Sequence, residues 1–347
     1  MAVTFTAAET AAMSRALTLA ATGPRSANPQ VGCILLDSTG RTIAQGHHEG
    51  AGTPHAEAQA LAKAGAAARG ATAVVTLEPC DHTGRTGPCS QALIDAGVAR
   101  VVFAQADPNP AAAGGPRRLR DAGIDVESGL LGAQAAELNA DWTVATGLGR
   151  PYVLWKFATT LDGRSAAADG TSRWVSSVAA RRDTHRLRAS CDAILVGTNT
   201  VAVDDPLLTV RGHDDLPLAV QPMRVVMGLR DLSGGRRVFN ADAQTVRLLT
   251  RDPHAALSDL RARGIHRVFL EGGPTLAAAF LNADLVDEIV VYVAPMLLGA
   301  GRSAVGDLGI ETLADALHLD VVDVTVLEPA HADDSTNVRL TLQRKVA

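Results

Sequence analysis

One histidine, one glutamate and two cysteines stand at spacings that could hold a metal ion and use it: His55-Ala-Glu57, then Pro79-Cys80, then Pro88-Cys89. An imidazole and two thiolates suit borderline-soft Zn2+, and three protein ligands leave the fourth tetrahedral position open to water. Glu57, two residues beyond the histidine, can reach that water and pass its proton to a departing amine. Three ligands and one proton carrier point to hydrolytic deamination of a nitrogen heterocycle. A structural zinc site would recruit four protein ligands, and a set of plain buried thiols would leave the joint spacing to chance.

These groups need elements to place them. Residues 71–77 form an apolar strand stopped by Glu78-Pro79, so Cys80 lies where the chain leaves a sheet. Pro54 precedes an alanine-rich run closed by Gly65, which puts His55 and Glu57 in a helix's first turn. A second helix through Gln91 starts near Cys89, and a helix N-terminus favours a thiolate. H-x-E followed by P-C is the pattern of the zinc deaminases, whose glutamate is not a ligand. The unusual part is the separation of Cys80 from Cys89 by eight residues, where that signature has two. The other cysteines, Cys33 and Cys191, fall in apolar runs and read as core, and no disulfide framework is implied.

Short Val/Ile/Leu runs alternating with Ala/Leu-rich segments predict an α/β chain. Strands are expected at 31–36, 41–45, 72–77, 99–103 and 124–127, then at 152–158, 193–197, 224–228, 245–249, 267–270, 288–293, 321–327 and 337–343. Helical segments over 133–148 and the turn at Gly149-Arg-Pro151 separate the two series, giving domains at 1–147 and 150–347. With 347 residues, 47% hydrophobic, the chain can bury two ordinary cores. A net charge of -5 and 3% aromatics argue against a nucleic-acid partner, which would want a basic face and stacking platforms. No apolar stretch reaches transmembrane length, and Glu9 and Arg15 interrupt the one segment resembling a signal core. Cytoplasmic residence is the expectation.

The second half has no zinc set and no dinucleotide fingerprint. It has Gly-rich turns beside strands at Glu271-Gly-Gly-Pro-Thr275 and Leu298-Gly-Ala-Gly301, where a backbone can approach a pyrophosphate. Lys156 stands among apolar residues in a strand; it either needs a partner or ligand, or snorkels from an edge strand.

The sequence resembles the RibD family, in which a diaminohydroxyphosphoribosylaminopyrimidine deaminase is fused to a 5-amino-6-(5-phosphoribosylamino)uracil reductase of riboflavin biosynthesis. The resemblance rests on Asn28-Pro-x-Val-Gly32, Gly46-x-His48, Pro54-His-Ala-Glu57, Thr76-Leu-Glu-Pro-Cys80, Gly84-Arg-Thr86, Pro88-Cys89 and Asp107-Pro-Asn-Pro110. In the second half it rests on Lys156, Leu161-Asp-Gly-Arg164, Ser172-x-Trp174, Arg181, Asp183, Arg188, Thr200-Val, Asp204-Asp-Pro206, Leu208-Thr-x-Arg211 and Glu271-Gly-Gly-Pro-Thr-Leu276. It covers nearly the whole chain.

The resemblance implies an N-terminal cytidine-deaminase-like three-layer αβα domain and a C-terminal dihydrofolate-reductase-like α/β domain. In the first, His55, Cys80 and Cys89 would hold Zn2+, with Glu57 catalytic. Asn28, His48, His82, Arg85, Asp107 and Asn109 would bind a phosphorylated pyrimidine. In the second, Lys156, Ser172, Arg188, Asp204, Arg211 and Glu271 would bind substrate. Ala158, Gly197, Thr200, Gly272, Gly273 and Gly299 would bind NADPH, with either Asp204 or Lys156 connected to the proton donor. A homo-oligomer, a dimer, is expected. The chain departs from the family pattern at Ser26-Ala27, Asp81, Gly87 and Val203, none of which is a metal ligand. Asp81 adds a negative charge that would weaken phosphate binding or orient His82. Two rivals remain: a nucleic-acid base deaminase with an appended domain, and a chain with one working site.

Overall fold

The computed structural model describes residues 5–24, 28–50, 52–82, 87–110, 112–212, 214–232, 235–331 and 334–344. The chain divides into two compact units, Met1–Gly149 and Arg150–Ala347.

In chain order the first unit runs α1 (Ala7–Ala20), β1 (Gly32–Leu36), β2 (Thr42–His47), α2 (Ala56–Ala64), β3 (Thr72–Leu77) and α3 (Cys89–Asp95). It continues with β4 (Arg100–Gln105), α4 (Gly115–Asp121), β5 (Asp125–Ser128), α5 (Gly132–Leu138) and α6 (Ala140–Leu148). The strands form one sheet in the order β2-β1-β3-β4-β5. β1 is antiparallel to both neighbours, and β3, β4 and β5 are mutually parallel.

Because side chains alternate along a strand, each apolar run feeds two cores. Cys33, Leu35, Val75 and Val101 pack with Ala56 and Ala60 of α2, Leu93 of α3 and Leu119 of α4. Ile34, Leu36, Val74 and Val102 pack on the other face with Met13 and Ala16 of α1 and Ala135 of α5. Runs apolar on both faces thus become the middle layer of an αβα sandwich. The 133–148 segment is two helices, broken at Asn139, whose side-chain amide exchanges hydrogen bonds with the Gln30 backbone (2.8 and 3.0 Å). That exchange pins the strand entry just after Asn28.

The second unit contains β6 (Tyr152–Thr160), β7 (Arg164–Ala166), α7 (Val178–Ala189), β8 (Ala193–Gly197), α8 (Thr198–Asp204), β9 (Met223–Met227) and β10 (Thr245–Leu248). It then has α9 (Pro253–Ala262), β11 (Arg267–Leu270), α10 (Pro274–Asn282), β12 (Glu288–Ala294), β13 (Arg302–Ser303), β14 (Leu319–Leu327) and β15 (Asn337–Arg344). Eight strands form one sheet, β10-β9-β8-β11-β6-β12-β15-β14, parallel through β12 and antiparallel over the last two strands. Val153, Leu195, Val225 and Leu270 pack under α9 and α10, while Leu154, Ile194, Val226 and Phe269 pack under α7 and α8. This is the dihydrofolate-reductase-like α/β architecture. The short pair β7 and β13 had no counterpart in the apolar pattern, being three and two residues long.

Candidate active sites

In the first unit three elements end at one point. His55 caps the N-terminus of α2, Cys80 follows the exit of β3, and Cys89 is the first residue of α3. One ligand atom from each lies within 4.8 Å of the others. His55 Nδ1 is 3.2 Å from Cys89 Sγ and 3.6 Å from Cys80 Sγ, and the Cys89 amide donates to Cys80 Sγ at 3.5 Å. Close approach of α2 depends on Gly46 of β2: a Cβ there would lie 2.2 Å from the Ala56 carbonyl. Gly115 plays the same part beside Cys80, where a Cβ would meet the Pro79 carbonyl at 1.8 Å.

The electrostatics suit a metal cation. Hydrogen bonding from Cys89, opposed by burial and helped by His55, holds the Cys80 thiol down to about 4. The resulting thiolate keeps the Cys89 proton on, well above the usual thiol range. The hydrogen bond to Cys80 raises His55. An imidazole and two thiols sharing protons this closely are a donor set that a borderline-soft cation can take over. Glu57 is 4% exposed, and burial pushes its carboxyl up to about 7, in the range suited to exchanging protons near neutrality.

Around this set, Asn28 Nδ2 lies 3.1 Å from Nε2 of His48, whose ring stands edge-on to that of His55 at 5.9 Å. Asp107 accepts the Asn109 amide at 2.8 Å, and burial raises its carboxyl above the usual range. His82 is exposed, and Arg85 lies outside the described residues. Asp81 accepts from Ser90 Oγ (2.6 Å) and pairs with Arg118 (3.0 Å). Its charge is therefore compensated within the protein. Glu78, read from the sequence only as the end of a strand and part of the Thr76–Cys80 motif, accepts the amides of Asp107 (3.2 Å) and Gly114 (3.1 Å).

In the second unit Lys156 is not on an edge. It sits in β6, between β11 and β12, with its side chain 13% exposed. Its Nζ is 3.8 Å from Glu271 Oε1 and 5.5 Å from the centre of the Tyr292 ring. Arg188 of α7 grips the other oxygen of Glu271 at 2.7 Å and donates to the Thr209 carbonyl at 3.0 Å. Burial lowers the Lys156 ammonium despite Glu271. Burial also opposes Glu271, but Arg188 and Lys156 bring its carboxyl below the usual range. Behind Lys156, the Tyr292 hydroxyl donates to Asp183 at 2.7 Å, and Arg339 pairs with the same carboxylate at 3.0 Å. A tyrosine in an otherwise apolar strand run was the available signal for that network, since a buried hydroxyl needs a partner.

The remaining expected residues spread along the carboxyl ends of the parallel strands. Gly197 ends β8 and Gly272-Gly273 follow the adjacent strand β11, Ala158 pairs in register with Tyr292, and Thr200 lies in α8. A Cβ on Gly273 would meet nothing within 4 Å, so its backbone is open to a ligand. Gly299 differs: its amide donates to Asp162 at 2.6 Å, and its φ of +69° explains the glycine by itself. Ser172 and Asp204 are exposed and Arg211 half-buried, the last pairing with Asp215 at 3.1 Å.

Comparison with known proteins covers both units. The family described as RibD C-terminal domain matches residues 151–331, and the cytidine and deoxycytidylate deaminase zinc-binding region matches residues 7–105. The riboflavin biosynthesis protein RibD of Mycobacterium tuberculosis (strain ATCC 25618 / H37Rv) is 49% identical over 302 residues, 87% of this chain and 88% of its own. That of Escherichia coli (strain K12) is 43% identical over 340 residues, 88% and 92% of the two chains. Among solved structures, Acinetobacter baumannii RibD has a TM-score of 0.86 at 38% identity, covering 98% of this chain and 99% of that one. The Thermotoga maritima diaminohydroxyphosphoribosylaminopyrimidine deaminase/5-amino-6-(5-phosphoribosylamino)uracil reductase has a TM-score of 0.83 at 30% identity, covering 97% and 99%.

Proposed function

The chain belongs to the RibD family of bifunctional riboflavin-biosynthesis enzymes, and from that premise we propose how its residues divide the two reactions. Residues 1–147 remove the 2-amino group of 2,5-diamino-6-(5-phosphoribosylamino)pyrimidin-4-one, and residues 150–347 reduce the ribosyl side chain to give 5-amino-6-(5-phosphoribitylamino)uracil. The observation that carries the reading is the convergence of His55, Cys80 and Cys89 to within 4.8 Å, beside a buried Glu57.

His55, Cys80 and Cys89 would hold Zn2+, which when bound supplies Lewis acidity and a water acidic enough to ionise near neutral pH. Glu57 takes a proton from the attacking water and delivers it to the departing nitrogen, which leaves as ammonia. Asn28, His48, Asp107 and Asn109 orient the ring and sugar edges, with His82 and Arg85 on the phosphate.

In the second unit NADPH, held along Ala158, Gly197, Thr200, Gly272 and Gly273, would supply hydride to the first sugar carbon in its ring-opened imine form. Gly299 is better read as a turn residue tied to Asp162. Lys156, Arg188, Arg211, Glu271, Ser172 and Asp204 bind the substrate. Lys156 is the better proton donor of the two candidates, because burial weakens its hold on the proton at Nζ, whereas Asp204 is exposed at the end of α8.

No helix among the described residues is long and apolar enough to cross a membrane. Four free, buried cysteines suit a reducing compartment, the cytoplasm. A dimer is favoured by β14, an outermost strand whose Val321, Val324 and Val326 are 61%, 58% and 55% exposed. The test of the whole reading is a coupled assay on the diaminopyrimidinone ribose phosphate, following ammonia release and NADPH or NADH oxidation together. Ammonia without oxidation of either cofactor would leave only the deaminase. A clear preference for NADH would overturn the cofactor assignment.

A further inference from the structure

His185 lies on α7 one turn before Arg188, and no role has been given to it. Its Nδ1 accepts the backbone N–H of Arg211 at 3.2 Å. A backbone N–H can only donate, so Nδ1 carries no proton and the ring is the neutral Nε2–H tautomer. Arg211 opens a small turn closed on itself: Gly212 N donates to the Leu216 carbonyl at 2.9 Å, and Leu218 N to the Val210 carbonyl at 3.0 Å. This turn meets α7 through two bonds, His185 to the Arg211 amide and Arg188 to the Thr209 carbonyl.

Among the described residues, the charged groups facing the imidazole are Arg188 on α7, Glu271 after β11, and Arg211 and Asp215 in the turn. Each carboxylate is already paired, Glu271 with Arg188 and Asp215 with Arg211. Neither is therefore left over to hold an imidazolium. Burial, the largest influence, together with the two guanidiniums keeps the ring neutral below the usual histidine range.

We propose that His185 is a positioning residue for reduction: its neutral imidazole holds the Arg211 turn against α7, beside Arg188 and Glu271, and protonating it releases the turn. The proposal rests on the reading of Arg211 and Arg188 as substrate contacts. It predicts a KM for the deaminated substrate that climbs on the acid side while kcat changes little, since the hydride-transfer residues stay in place.

His185→Asn separates this from other acid effects, because its amide oxygen can occupy the Nδ1 position and accept the same N–H without titrating. The substrate's own phosphate titrates near pH 6 and does so equally with either protein. KM and kcat of reduction would be measured from about pH 5.5 to 8, with kcat itself reporting that the unit carrying His185 is folded. We expect His185→Asn to keep the neutral KM and lose most of the acid-side rise. His185→Ala should raise KM at neutral pH by about fivefold, the worth of one ordinary hydrogen bond, and should converge on wild type at the acid end, where the wild-type bond is lost as well. An identical acid-side rise in wild type and His185→Asn would overturn the proposal. So would an unchanged KM in His185→Ala while Arg211→Ala raises it. If Arg211→Ala also leaves KM unchanged, the reading of Arg211 as a substrate contact falls, and the proposal with it.

Discussion

On the proposed roles Glu57 and Cys89 should fail in different ways, because one would carry a proton and the other would hold a metal. Cys89→Ala removes one of the three proposed ligands and should abolish tight zinc binding, measured as metal per chain after dialysis; equal zinc in variant and wild type would sink the ligand assignment. Glu57→Gln preserves shape but cannot accept the proton. It should keep its zinc and lose deamination by on the order of 10²–10⁴-fold. In the other unit, Glu271 holds two cations, and Glu271→Gln leaves both in a partly buried place without their counter-charge. The cost at pH 7 should be about 3 kcal/mol. Since Glu271's folded-state value is depressed, its contribution is fully present above the unfolded value of about 4.3 and is lost as pH falls through the lower folded one. Denaturant titrations should therefore show the stability gap between wild type and Glu271→Gln closing below about pH 4; a constant gap would mean that Glu271 is not charged in the fold.

At the scale of elements, the zinc set depends on how tightly α2 lies on β2. Gly46→Ala would place a methyl 2.2 Å from the Ala56 carbonyl and 2.8 Å from the Ala60 amide, both backbone and unable to rotate away. The helix that carries His55 and Glu57 must then lift. Overpacking of this kind typically costs about 1–3 kcal/mol, and we expect both a lower melting temperature and weaker zinc binding. A variant that melts as wild type with full zinc would show that the approach is not required. Strand existence was legible because apolar runs flanked by Gly and Pro are too short for helices. The break at Asn139 was not, since only a distant partner, the Gln30 backbone, makes an asparagine worth placing there.

For the molecule as a whole, the two reactions should be separable, because the residues assigned to each belong to different units. Glu57→Gln should leave reduction of supplied deaminated substrate largely intact, and Lys156→Ala should do the reverse. Loss of both activities in a folded Glu57→Gln protein would end the two-site reading. Replacing Val324 and Val326 by Glu puts charge on the outermost strand, and should shift the protein toward monomer in sedimentation if β14 is the contact.

Ligand types, spacing, the two strand series and the change near Gly149 are local properties of the chain, and the sequence by itself determined them. Whether Lys156 was a solvated edge lysine or half of an ion pair was not local. It was decided by β6 lying between β11 and β12, which brings Glu271 and Arg188 to it across sequence separations that no window can contain. Asp81 was decided the same way. Its charge looked like a liability beside a phosphate until α3 and α4 brought Ser90 and Arg118 to it. Periodicity reports which face of an element is buried, but the partner of a buried charge is set by which elements meet, and that information exists only in the folded chain.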